Sequence, residues 1–74
     1  MPNQTEWEMK AANILKAELK RKGVTYAQLV ERLDAIGISE KEVNVRNKLS
    51  RGKFSAAFML ACLSAVGSSH LHLE

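Results

Sequence analysis

Residues 39–53 read SEKEVNVRNKLSRGK. Ser39-x-x-Glu42 has the spacing of a capping box, in which two side chains satisfy free N–H groups of a first helical turn. Gly52 suits the left-handed residue that closes a helix. Ile38, Val45 and Leu49 recur at i, i+7 and i+11, so they share one face. The stretch therefore predicts a helix over Ser39–Ser50 that is packed on one side. Glu40, Asn44, Asn47 and Arg51 fall on the other side, and Val43 points that way too, which is odd for a solvated face. The second half carries Arg46, Lys48, Arg51 and Lys53 with no acid among them. Arg, Lys and Asn are the side chains that grip phosphates and read base edges in the major groove.

The same punctuation recurs on both sides of this stretch. Thr5-x-x-Glu8 and Thr25-x-x-Gln28 repeat the capping-box spacing, and Ser55 is a plausible N-cap. Trp7, Ala11, Ile14, Leu15 and Leu19 make the apolar stripe of a first helix, which ends in Lys20, Arg21 and Lys22, suited to the negative end of its dipole. Leu29, Val30, Leu33 and Ile36 form the buried face of a second helix. Phe54, Phe58, Met59, Cys62, Leu63 and Val66 cover a wide arc of a last helix, Ala56 to Val66. Leu60 stands off that arc among Ala56, Ala57 and Ser64, on a face of small residues. The four glycines, 23, 37, 52 and 67, each follow a predicted helix. The expectation is all-α: a compact four-helix domain over residues 5–67, with a disordered tail over 68–74. The final Leu73-Glu74 looks like a cloning remnant.

Composition narrows the function classes. A 74-residue chain with 46% apolar residues is one small domain near the lower limit for a single core. No run of about 18 apolar residues exists to cross a bilayer. The start, MPNQTEWEMK, lacks the basic and apolar regions of a signal peptide. Cys62 is the single cysteine, so no internal disulfide can form; its place in an apolar helix suits a small core residue, and a reducing cytoplasm is the expected setting. His70 and His72 lie in the tail without the three or four fixed ligands that zinc needs. No catalytic triad, phosphate loop or carboxylate pair is present, so neither an enzyme, a cofactor nor a small-molecule substrate is expected.

Charge is segregated along the chain. Lys16 to Lys53 holds ten Lys and Arg against five Asp and Glu, whereas Phe54 to Leu73 has no charged residue apart from its histidines. That is an electrostatic footprint beside a packing face. Few aromatic residues are present, which disfavours single-strand binding by base stacking.

Lys22-Gly23-Val24-Thr25, Gln28 to Leu33, Gly37-Ile38-Ser39 and Ser50-Arg51-Gly52-Lys53 resemble the signature segments of the lambda-repressor-like helix-turn-helix class of bacterial regulators. More closely, residues 7 to 67 look like a family of small bacterial proteins with a GVTY…NKLSRGKFSAAF pattern, a family that brings no established activity. The resemblance implies a helix-turn-helix fold and DNA binding. The two halves match that class in registers three residues apart. If Asp34 is the turn residue, Glu40 falls where the second helix is buried; if Gly37 is, Leu33 falls at the tight helix crossing. An enlarged turn, Asp34 to Ile38, accommodates both.

The expected function is that of a cytoplasmic DNA-binding regulator with the Ser39–Ser50 helix in the major groove of double-stranded DNA. Lys41, Asn44, Asn47 and Lys48 are the base-reading candidates; Lys20, Arg21, Lys22, Arg46, Arg51 and Lys53 are the phosphate-binding ones. A homodimer is expected, with its seam at Leu60, Ala56, Ala57 and Ser64. The competing class is an antitoxin- or adaptor-like protein-interaction module. A DNA reader needs Asn44, Asn47 and Lys48 exposed together and unpaired. Neutralisation of the cations by Glu40 and Glu42 weighs against it.

Overall fold

Two capping boxes set the starts of the first two helices. The Glu8 N–H donates to Thr5 Oγ1 at 3.1 Å and the Thr5 N–H to Glu8 Oε1 at 2.8 Å. Thr25 and Gln28 exchange the same pair of bonds at 2.9 and 3.1 Å. These are features of a computed structural model that describes residues 5–71. Four helices follow in order: α1, Glu6–Lys22; α2, Tyr26–Ala35; α3, Glu42–Arg51; α4, Ala56–Ala65. No strand occurs among the described residues, so the chain is all-α. Ser55 caps α4 through the Phe58 N–H, as its sequence position predicts. Gly23 closes α1 at φ 68° and Gly52 closes α3 at φ 69°, where a Cβ would be strained.

α3 and α4 each pack against both α1 and α2. The core they share includes Leu15 and Leu19 of α1, Leu29 and Leu33 of α2, Val45 and Leu49 of α3, and Phe58, Cys62, Leu63 and Val66 of α4. Burial pushes the Cys62 thiol up to about 12, so Cys62 is a core side chain and carries no thiolate at neutral pH.

The third capping box does not form. The N-cap of α3 is Lys41, with no side-chain hydrogen bond, and the helix begins at Glu42 rather than Ser39. The cause lies in how α2 ends: the Ile38 N–H donates back to the Leu33 carbonyl at 2.9 Å. This pins Ile38, half-buried, against the core, and the chain needs three more residues before it can turn into α3. The connection runs from Ile36 to Lys41, later and longer than the expected Asp34 to Ile38. Glu40 therefore belongs to the turn, from which its carboxylate reaches Lys48 Nζ at 2.7 Å. Inside one helix those residues would lie about 12 Å apart along the axis. Glu40 is half-buried there, off the helix.

Two further expectations fail. Trp7 is 77% exposed, because the buried stripe of α1 is Ala12, Leu15, Glu18 and Leu19 and Trp7 precedes the part that α3 and α4 cover. Ile36 is 49% exposed, since it caps α2 outside the last packed turn. At the start of the tail, the Ser68 N–H bonds the Leu63 carbonyl at 2.9 Å and the Ser68 hydroxyl bonds Glu18. His72 and the Leu73-Glu74 pair lie outside the described residues.

These differences can be measured. Thr25→Ala is expected to lower stability by about 1 kcal/mol through loss of a working cap. Ser39→Ala, which removes no cap, should stay within about 0.5 kcal/mol of the parent in denaturant unfolding. Equal losses for the two variants would mean that α3 does start at Ser39.

Candidate nucleic-acid interface

With Val45 and Leu49 turned into the core, helical periodicity assigns the outward face of α3 to Val43, Asn44, Asn47 and Arg51. All four are exposed. No other side chain engages Asn44 or Asn47 among the described residues. The candidate asparagines share this face, and Val43 is its exposed apolar member.

Lys48 is not on that face. It is half-buried, paired with Glu40, and its Nζ sits 4.4 Å from the centre of the Phe58 ring, so it points along the α4 side of α3. Arg46 leaves by the opposite flank. It pairs with Glu42 at 2.8 Å and lies over the Tyr26 ring at the start of α2, 5.7 Å from its centre. The sequence signal for both pairings was present in Glu40 and Glu42, yet which cation each would meet depended on where the helix starts. The two acids of the segment neutralise two of its cations, and in doing so they leave the outward face without a carboxylate.

The remaining candidates divide by position. Lys20, Lys22, Lys41 and Lys53 are exposed and make no ion pair among the described residues. Lys16 and Lys20 flank a shallow depression beside Thr25 and Tyr26, next to the Tyr26 ring that Arg46 covers. Tyr26 lies outside the residues that the sequence marks, because its contact with Arg46 of α3 is a tertiary fact. Arg21 points elsewhere, held by Glu18 through its Nε at 3.1 Å and a second guanidinium contact.

A family described as a domain of unknown function, DUF6471, matches residues 7–71. The chain belongs to the DUF6471 family. No curated protein and no solved structure matches it. The matched span runs beyond Gly67, in keeping with the contacts that the first tail residues make in this DUF6471 domain. No helix among its described residues is long and apolar enough to cross a membrane.

Glu18 is the one buried charged residue described in the domain. Its contacts with Arg21 and then Ser68 hold the carboxyl down at about 2, against 4.5 for the ordinary group. A carboxyl lowered by folding stabilises the native state above its unfolded value and loses that contribution as pH falls toward the folded one. Acid should therefore loosen the Ser68 strap between about 4.5 and about 2. Glu18→Gln is expected to flatten stability against pH in that window, as read by unfolding midpoints. An unchanged acid limb would remove the assignment.

Proposed function

We propose that this DUF6471 domain is a small DNA-binding protein, a cytoplasmic regulator of transcription. Its α2 and α3 would work as a lambda-repressor-like helix-turn-helix with an enlarged turn, and α3 lies in the major groove. The observation that carries the reading is the outward face of α3, where Asn44 and Asn47 are exposed beside Val43 with no carboxylate among them. Asparagine bonds adenine N6 and N7 bidentately, and an apolar side chain meets the thymine methyl group. That set favours A·T pairs in the recognised half-site. Lys41 extends the reading face at the start of α3, whose first turn has no side-chain cap and so keeps N–H groups for a phosphate. Lys20, Lys22, Arg51 and Lys53 hold the flanking phosphates, with Arg46 beside Tyr26 as a further contact.

One module neutralising a few phosphates binds weakly at physiological salt, whereas a symmetric pair reads two half-sites about one helical turn apart. The pairing surface in this reading is the exposed α4 face of Leu60, Ala56, Ala57 and Ser64. A protein-interaction module is the second reading, favoured by the neutralisation of Arg46 and Lys48.

An NMR titration with a random-sequence duplex at two salt concentrations separates the two. Shifts on α3, Lys53 and the end of α1 that fade steeply with salt are expected, through counterion release. A silent spectrum at low salt would leave the interaction module standing.

A further inference from the structure

The outer side of α1 forms one wall of an open groove of about 640 Å³, completed by Leu63 of α4 and by His70 and Leu71 of the tail. Met9, Ile14 and Ala17 line the α1 wall. Six large apolar side chains are exposed among the described residues. Met9 and Leu71 line the groove. Trp7 stands at its rim, with its ring 5.7 Å from the Nζ of the lining residue Lys10. Leu60, exposed as well, stands three residues before Leu63 on α4 but off the core arc that holds Leu63. An exposed apolar groove of this kind, with a large aromatic side chain at its rim, marks an interaction site.

We infer that the occupant is a second copy of this chain, with α1 packed antiparallel on its counterpart and the Trp7 ring of each copy inserted into the groove of the other. The inference rests on the homodimer reading of the Leu60 face and extends that seam across α1. Three observations select a second copy. The patch carries both a plug, Trp7 at 77% exposure, and a socket, as an isologous interface requires. α1 has acids in its first turn and bases in its last, so antiparallel pairing sets unlike charges together and opposes the two helix dipoles. For a crossing near Asn13 and Ile14, Glu6 of one copy faces Arg21 of the other, and both residues line the groove. Trp7 then reaches the Ala17 end, where a small side chain leaves room for an indole. An acidic or basic partner peptide would meet like charge at one end of α1.

Trp7 is the single tryptophan of the chain, so its emission reports this contact directly. Light scattering and fluorescence are followed together from low micromolar to several hundred micromolar protein. Association accompanied by a blue shift of the emission is the expected result. Trp7→Ala, which removes no core side chain, should stay folded by circular dichroism and associate roughly tenfold or more weakly. Association with unshifted emission, or undiminished by Trp7→Ala yet abolished by Leu60→Ser, would overturn the groove contact and keep the Leu60 seam. A monomer throughout the range would remove both.

Discussion

Replacing Leu49 with alanine is expected to leave much of the chain unfolded at room temperature. Leu49 is fully buried and, with Val45, is one of two buried residues that fasten α3 to the core. Leu→Ala at such a site costs about 2–5 kcal/mol, from lost transfer energy and the cavity left behind. A domain of this size has little beyond about 5 kcal/mol to lose. Thermal unfolding followed by circular dichroism should show a midpoint lowered by more than ten degrees or no cooperative transition, since about 1 kcal/mol shifts the midpoint of a small domain by roughly 4–8 °C. Because α3 would detach as a unit, Val45→Ala should act in the same direction and more mildly. A Leu49→Ala variant that melts within a degree or two of the parent would contradict the packing of α3.

The second large effect concerns sequence preference. If the outward face of α3 reads bases, Asn47→Ala or Asn44→Ala should weaken binding to the preferred A·T-containing site by about 1–3 kcal/mol, or roughly 5- to 150-fold. Affinity for random duplex should change little. Arg51→Ala with Lys53→Ala should do the opposite, weakening all sequences alike. Loss of two phosphate contacts lowers the salt slope by about 1.8. Across a fourfold change of salt the variant's affinity then falls roughly tenfold less than the parent's. Lys48→Met is the control. Lys48 faces Glu40 and Phe58, so its replacement should disturb stability and leave base preference intact. Electrophoretic or anisotropy titrations on selected and scrambled duplexes measure all three. A Lys48→Met variant with altered base preference would return that residue to the reading face and overturn the division of α3 described above.

Local chemistry made much of the fold readable in advance. A capping box needs two side chains three residues apart, and the Thr5 and Thr25 boxes form because nothing tertiary competes for those residues. Val45 and Leu49 go inward because they share one face of α3, whereas Val43 stands alone among polar residues on the other. Asn44 and Asn47 were legible as exposed for the same reason.

Other features were decided by what approaches from elsewhere in the chain. Trp7 follows the apolar period of α1 and is nevertheless exposed, because periodicity names a face without saying how far along the helix its neighbours extend. Ser39 has a perfect capping spacing, but the bond from Ile38 to Leu33 holds the chain in the turn past it. Lys48 and Arg46 lie two residues apart in a basic run, and only the positions of Phe58, Tyr26, Glu40 and Glu42 send them to opposite flanks. The sequence by itself determined four helices, most of their ends and the central core residues of each, since those follow from interactions within a few residues. Tertiary structure alone decided which charges are spent on ion pairs, where α3 begins and which apolar side chains remain uncovered, because each depends on contacts between segments far apart in the chain.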